Sequence, residues 1–197
     1  MFVNCKARPR RHVAYNSLAS DTGVSVNTIR SWISVLEASN IVVLLEPYHR
    51  NLGKRLVKTP KLYLLDTGLA CYLLGIRSVD ELRASTMLGA LFETHALGQM
   101  IRWHANRGLP PDIYFFRDRD GHEVDFVMPV AERLKLYECK WSEAPETRSR
   151  GFDAVEKMAG AANIISKSII SSARGARKVG DTWIEDSIEG KTLPIRA

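Results

Sequence analysis

The chain has 197 residues, of which 45% are hydrophobic and 25% are charged, a composition typical of a globular protein with one or two small domains. No run of about 18 apolar residues predicts a membrane span, and no apolar segment follows the basic N-terminus as in a secretion signal. The three cysteines lie far apart without a CxxC pair, which argues against a zinc site. We therefore expect free thiols, a cytoplasmic location and no membrane partner.

The positive charge is concentrated in the first third of the chain. The net charge is +6, and residues 1–60 account for all of it, with nine Lys or Arg and three acidic residues. The other 137 residues contain equal numbers of basic and acidic side chains. This asymmetry indicates a polyanionic partner for the N-terminal segment, although a solubilising basic surface would give the same count.

Residues 15–45 predict two short helices followed by a strand. Asn16 can cap the first helix, Gly23 can take the positive φ of a tight turn, and Ser25 or Asn27 can cap the second helix. The second helix has an apolar face made by three residues, Ile29, Ile33 and Leu36. Two helices joined by a tight glycine turn predict a helix-turn-helix.

The polar face of the second helix and a basic loop are the candidate DNA contacts. The face consists of Asn27, Thr28, Arg30, Ser31 and Ser34. Beyond the strand at 41–45, a turn at Gly53 with Arg50, Lys54 and Arg55 and a return strand would form a wing. The pattern predicts a winged helix-turn-helix over residues 1–60 that binds DNA, or one that binds protein or only joins domains.

A short connecting region separates this module from the rest of the chain. An apolar strand at 61–65, a helix capped by Asp66 and a short helix near 78–82 fill residues 61–86. We assign residues 87–197 to a second domain.

The sequence of the second domain predicts alternating helices and strands. A helix covers 87–104, strands cover 113–118, 123–130 and 133–141, an amphipathic helix covers 147–160, and another strand covers 163–170. A further strand is expected at Trp183 and Ile184. The order α-β-β-β-α-β predicts an α/β (α+β) fold with a mixed central sheet.

Charged side chains on two of these strands predict a metal site. Glu138 and Lys140 share one face of their strand, and a neighbouring strand can bring Asp125 beside Glu138. Two carboxylates repel each other unless a cation lies between them, and Mg²⁺ or Mn²⁺ prefers such oxygen ligands. Lys140 could activate water or stabilise a phosphate, and Glu93 from the preceding helix could add a ligand. The alternative is an ordinary salt bridge between Glu138 and Lys140 at a strand edge, with Asp125 closing a turn.

This arrangement resembles the PD-(D/E)xK nuclease superfamily, which has a restriction-endonuclease-like core. The resemblance implies that the catalytic residues are Glu93, Asp125, Glu138 and Lys140, that Asp125 and Glu138 hold the metal, and that the reaction is phosphodiester hydrolysis. The order of predicted elements, α-β-β-β-α-β, is also that of the superfamily's core.

A resemblance to one particular family covers the chain from about residue 13 onward. The segments "LVKTPKLYLLDTGLACYLLG", "GALFETHALGQM", "YFFRDRDGHEVDFVM" and "YECKW" look like the C-terminal region of a family of prokaryotic AAA-type ATPases. No phosphate-binding loop is present, because the segment ending in Gly190-Lys191-Thr192 has Glu185 where the first glycine should be. We expect no ATPase activity from this chain.

The sequence leaves two hypotheses. The chain is a metal-dependent DNA endonuclease, or it is a non-catalytic module that binds DNA or protein and accompanies an AAA-type ATPase. The expected partners are DNA and an ATPase domain or a second copy of the chain.

Overall fold

A computed structural model describes residues 10–49 and 58–186 of the chain. These described residues form two compact units, one within residues 1–45 and 59–98 and the other within residues 46–58 and 99–197. The sequence predicts boundaries at residues 60 and 86. The division differs because the strand and helices after residue 60 pack into the first unit, and because the long helix after residue 87 contributes to both units.

Two helices open the first unit. They are α1 (Tyr15–Thr22) and α2 (Val26–Ala38), and Gly23 between them has a φ of 70°. The Ser25 side chain caps α2 by accepting a hydrogen bond from the backbone N–H of Thr28, as one of the two predicted caps. The predicted cap at Asn16 is wrong, because α1 begins one residue before it, with Ala14 at the capping position.

The first unit also contains a three-stranded antiparallel sheet. Its strands are β1 (Arg10–His12), β2 (Val42–Leu45) and β3 (Lys61–Leu64), in the order β1-β3-β2. Strand β1 was not predicted. Helices α3 (Thr67–Leu73), α4 (Val79–Ala84) and α5 (Leu88–Ala105) follow. Asp66 caps α3 as expected, by accepting a hydrogen bond from the N–H of Leu69.

Apolar side chains of these elements form two core clusters. Ile29 and Ile33 of α2 pack with Val13 and Ala19 in the first cluster. The second cluster contains Val42, Leu64, Ala70 and Leu91, so it joins strands β2 and β3 to helices α3 and α5. The helical spacing of Ile29 and Ile33 therefore marks the buried face of α2, as the sequence predicted.

A six-stranded mixed sheet forms the second unit. Its strands are β4 (Tyr114–Arg117), β5 (Glu123–Val130), β6 (Arg133–Lys140), β7 (Ile164–Ser171), β8 (Arg177–Val179) and β9 (Thr182–Asp186). The order is β4-β5-β6-β7-β9-β8, with antiparallel pairs at both ends and parallel pairs β6-β7 and β7-β9 in the middle. The predicted mixed sheet is confirmed, and β8 is a strand that the sequence did not reveal.

Helix α6 (Arg150–Ala159) packs on one face of this sheet. It lies between β6 and β7 in the chain and places Phe152 and Val155 against a core that includes Val124, Val127 and Leu136. A short 3₁₀ turn, Ala161–Asn163, leads from α6 into β7. The helix begins three residues later than the predicted start at 147, because Ser149 is its cap.

The predicted wing is described only in part. Strands β2 and β3 pair antiparallel, as a wing requires. The Gly53 turn with Arg50, Lys54 and Arg55 lies outside the described residues. Within the second unit, residues 46–48 bond to β4, since Phe115 N–H donates to the Glu46 carbonyl and Tyr48 N–H donates to the Phe115 carbonyl. Residues 46–48 therefore lie beside β4 at the edge of the six-stranded sheet.

Candidate functional site

Strands β5 and β6 are neighbours, and each contributes a carboxylate. Their antiparallel register pairs Phe126 with Tyr137, so Asp125 and Glu138 follow at the next position on each strand. Leu134 and Leu136 pack into the core beneath α6. Alternation along β6 therefore directs Glu138 and Lys140 to the α6 side of the sheet.

Asp125 lies within an irregular part of β5. Val124 and Val127, which are three residues apart, both pack into the core beneath α6. In a regular strand such residues face opposite sides, so the change of face requires the register shift between β4 and β5. The irregularity places the Asp125 carboxylate at the backbone of β6, where Oδ2 accepts a hydrogen bond of 2.9 Å from the N–H of Cys139.

The two oxygens of Glu138 have different partners. Oε1 accepts a hydrogen bond from the hydroxyl of Ser149, the residue that caps α6. Oε2 lies 3.6 Å from Nζ of Lys140. The ion pair that the alternative interpretation predicted therefore exists, and it lies beside Asp125 rather than at an isolated strand edge.

The electrostatics of Glu138 disfavour its ionised form. Burial raises the pKa of the Glu138 carboxyl above its usual range, and the negative charge of Asp125 acts in the same direction. The hydrogen bond from Ser149 and the charge of Lys140 lower the pKa but do not cancel the increase. A divalent cation beside the two carboxylates would stabilise the ionised form of Glu138, which burial and Asp125 disfavour.

Lys140 reaches from the carboxylate pair toward the loop before α6. Besides Glu138, its Nζ donates a hydrogen bond of 3.2 Å to the backbone carbonyl of Glu146. About one third of the Lys140 side chain is exposed, compared with 13% of the Glu138 side chain. The ammonium group therefore lies at the boundary between the carboxylates and solvent, where a bound phosphate could meet it.

Glu93 has partners of its own in the first unit. Its Oε1 accepts a 2.6 Å hydrogen bond from the Tyr63 hydroxyl and lies 3.7 Å from Nζ of Lys61. The side chains of Lys61 and Glu93 are 4% and 3% exposed, so this is a buried ion pair between β3 and α5. These contacts give the Glu93 carboxylate a structural function within its unit.

The predicted DNA-contacting face of α2 is exposed as expected for a surface helix. Asn27, Arg30, Ser31 and Ser34 are exposed, and Thr28 is half-buried. The Arg30 guanidinium lies 4.2 Å from the ring centroid of Tyr15, which holds this cation over α1. The other predicted contacts, Arg50, Lys54 and Arg55, lie outside the described residues.

Two features of the second unit do not follow from the sequence pattern. The first is Ser149, whose position before an amphipathic helix is a capping signal, although nothing local indicates a bond to Glu138. The second is Asp118, Asp120 and His122, the group of three potential metal ligands that lies close together within residues 10–49 and 58–186. Both oxygens of Asp118 bond to His122, to its N–H at 2.9 Å and its Nδ1 at 2.8 Å.

The Asp118 carboxylate is explained by the turn between β4 and β5. Burial by itself raises the pKa of Asp118, but the hydrogen bonds and charge of His122 outweigh burial and hold the pKa below its usual range. Asp118 also accepts a backbone bond at its carbonyl from Gly121 N–H, at 3.4 Å. The group therefore closes the β4–β5 turn, and its contacts do not require a metal.

Two models of protein domains match the chain. One, the domain of unknown function DUF8612, matches residues 2–80, and the other, the domain of unknown function DUF4143, matches residues 88–184. The chain is similar to two such domains in succession. The gap between the matches coincides with the end of the predicted connecting region. DUF4143 is often found together with AAA-type ATPase domains.

Two mycobacterial proteins share part of this sequence. The uncharacterized proteins Mb2031c of Mycobacterium bovis and Rv2008c of Mycobacterium tuberculosis are each 32% identical to this chain over 128 residues. The match covers 65% of this chain and 28% of each mycobacterial protein, so the chain spans only a fraction of the length of these relatives. No solved structure matches the chain.

The helices of residues 10–49 and 58–186 include none that is long and apolar enough to cross a membrane.

Proposed function

We propose that the second unit is a PD-(D/E)xK nuclease-like domain whose site hydrolyses phosphodiester bonds with a divalent metal. The observation that carries this proposal is the convergence of Asp125, Glu138 and Lys140 from two adjacent strands. The two carboxylates interact electrostatically, and Lys140 lies 3.6 Å from Glu138. Glu93 is left out of the proposed site, because its carboxylate is bonded to Tyr63 and paired with Lys61.

The residues fit Mg²⁺ or Mn²⁺. Asp125 and Glu138 would hold the ion, since hard divalent cations take one or two carboxylates and complete their shell with carbonyl oxygens, water and substrate phosphate. The backbone carbonyl of Cys139 lies between Glu138 and Lys140 in the chain and is a further candidate ligand. When bound, the ion would supply Lewis acidity and a more acidic water.

Lys140 supplies the positive charge that a carboxylate pair lacks. Hydrolysis of a phosphodiester develops negative charge on the phosphoryl oxygens, and a fixed ammonium group stabilises that charge in the transition state. The partly exposed position of Lys140 leaves it accessible to a substrate. Its bond to the Glu146 carbonyl and its ion pair with Glu138 keep the ammonium group beside the carboxylates.

The first unit would bring the substrate. We infer that helices α1 and α2 with the β1-β3-β2 sheet form a winged helix, and that α2 enters a groove of duplex DNA. The exposed polar face of α2 and the excess positive charge of residues 1–60 support this assignment. DNA would then be both partner and substrate.

A second candidate function rests on the comparisons. DUF4143 is often found with AAA-type ATPases, and the chain matches only 28% of longer relatives. In this alternative the two units are a non-catalytic module that binds DNA or protein beside an ATPase domain, and the carboxylates serve only the fold.

Calorimetric titration with Mn²⁺ and a plasmid-nicking assay on the same sample distinguish these functions. We expect the wild-type chain to bind Mn²⁺ and to nick plasmid only when metal is present, with chelator as the control. Binding without nicking would favour a competent site that needs an ATPase partner. If the protein binds no metal, the nuclease proposal is wrong and the module is a binding domain.

The proposed DNA contacts predict a salt-dependent affinity. Replacing Arg30, Lys54 and Arg55 together by Gln should reduce the steepness of log K against log salt by about 3, roughly one for each basic side chain that neutralises a phosphate. Fluorescence anisotropy with a duplex oligonucleotide at several salt concentrations measures the slope. Arg133→Gln removes one exposed positive charge of the second unit, outside the proposed contacts, and should leave the slope unchanged. An unchanged slope in the triple variant would show that these residues do not bind DNA.

A further inference from the structure

The first turn of α6 touches both strands that carry the proposed metal ligands. Ser149 is the cap of α6, and its hydroxyl accepts a 3.1 Å bond from the N–H of Phe152. The same hydroxyl donates its proton to Oε1 of Glu138 on β6. Because a serine hydroxyl has one proton, the cap uses the oxygen lone pair and Glu138 uses the hydrogen, so one side chain performs both functions without competition.

The contact with β5 is made by a glycine. A Cβ atom at Gly151 would lie 1.9 Å from the carbonyl oxygen of Glu123 and 2.7 Å from its carbonyl carbon, far inside van der Waals contact. Only a residue without a side chain allows this turn of α6 to rest directly on the β5 backbone. Glu123 is two residues before Asp125, so the helix meets β5 close to the first carboxylate.

We propose that the first turn of α6 is a positioning device that sets the Asp125–Glu138 pair for metal binding, with Ser149 as the positioning residue of Glu138 and Gly151 as the spacer against β5. This inference rests on the proposed metal site and adds to it a pair of residues that do not touch the metal or the substrate. The turn fixes Glu138 by a hydrogen bond and fixes the distance between helix and β5 by direct contact.

Because Ser149 is buried, its hydroxyl rather than water is the hydrogen-bond donor to Glu138. Ser149 is 6% exposed, so water has little access to replace it as the donor to Glu138. With Oε1 held by Ser149, the other oxygen, Oε2, is the one that lies toward Lys140. Partners of metal ligands that fix their orientation typically contribute about 10- to 100-fold to metal affinity or activity.

A pair of Ser149 variants separates positioning from folding. Glycine caps helices almost as well as serine, so Ser149→Gly removes the donor to Glu138 while the helix keeps a good capping residue. Ser149→Thr keeps both the acceptor and the donor. We expect Ser149→Gly to lower Mn²⁺ affinity by about 10- to 100-fold and Ser149→Thr to retain the wild-type affinity. Equal affinities of wild type and Ser149→Gly would overturn the proposal.

A metal-free measurement keeps the test independent of the proposed function. Three-bond couplings in NMR spectra report whether the Glu138 side chain holds one rotamer. We expect a single rotamer in the wild type and in Ser149→Thr, and averaging in Ser149→Gly. If the wild type binds no Mn²⁺ but the couplings change as expected, the nuclease proposal fails while Ser149 still positions Glu138. Unchanged couplings in Ser149→Gly would refute the positioning function itself.

Gly151 has a matched control in the same chain. Gly151→Ala should weaken Mn²⁺ binding and change the amide chemical shifts of Glu123 to Asp125, because the new methyl group forces α6 away from β5. Gly89→Ala, in the first turn of α5, places its Cβ in open space and should leave both unchanged. Normal Mn²⁺ affinity and unperturbed shifts in Gly151→Ala would contradict the spacer function.

Discussion

Replacing Asp125 by Asn should abolish Mn²⁺ binding and plasmid nicking while the protein remains folded. The amide oxygen of Asn can still accept the hydrogen bond from Cys139 N–H, so the variant loses the negative charge without leaving a buried donor unpaired. Calorimetry measures the binding, nicking measures the activity, and circular dichroism during thermal unfolding checks the fold. We expect a melting temperature close to that of the wild type.

Lys140→Met should separate binding from chemistry. Lys140 is not a metal ligand in the proposal, so the variant should retain Mn²⁺ binding while nicking slows by about 10²- to 10³-fold, the usual effect of losing one electrostatic stabiliser of the transition state. Lys157→Met, which removes an exposed lysine of α6, is the matched control and should nick normally. If both Asp125→Asn and Lys140→Met nick plasmid at the wild-type rate, the nuclease proposal is wrong.

Replacing Glu93 by Ala should strongly lower the stability of the first unit. Glu93→Ala removes one partner of a buried ion pair, in a site where the Lys61 side chain is 4% exposed. Breaking a buried pair in this way costs about 3–5 kcal/mol. The Tyr63 hydroxyl also loses this acceptor, as part of the same loss. We expect a loss of about 3–5 kcal/mol in the free energy of unfolding.

Urea unfolding followed by circular dichroism measures this loss, and amide hydrogen exchange locates it. Protection should fall in β3, where Lys61 and Tyr63 lie, before it falls in β6. Glu132→Ala, at an exposed turn of the second unit, should leave the free energy of unfolding unchanged. The double variant Lys61→Met/Glu93→Leu should recover much of the loss, since apolar residues of similar size replace buried ion pairs well.

This experiment also decides the function of Glu93. The resemblance to PD-(D/E)xK nucleases implies a catalytic helix Glu, whereas the contacts with Tyr63 and Lys61 imply a structural one. If Glu93→Ala unfolds at wild-type urea concentrations but no longer nicks plasmid, Glu93 belongs to the site after all. A large loss of stability would establish its function in the core of the first unit.

Much of the secondary structure followed from local patterns. The spacing of Ile29 and Ile33 predicted the buried face of α2, and Ser25 and Asp66 predicted the caps of α2 and α3, because capping depends on residues within one turn. Strands β5 and β6 were also predicted from the sequence, and they pair as neighbours. Strand β8 did not, because a three-residue exposed edge strand has no apolar pattern of its own.

The sequence by itself determined the chemistry available to the site: two carboxylates and a lysine on adjacent strands, with alternation placing Glu138 and Lys140 together. Only the tertiary structure decided how these groups are held. The β5 irregularity that directs Asp125 to Cys139 depends on pairing with β4, and the bond from Ser149 to Glu138 joins residues eleven positions apart. The contacts of Glu93 with Tyr63 and Lys61 likewise depend on the packing of α5 on β3. Such partners are set by long-range packing, which local sequence periodicity does not encode.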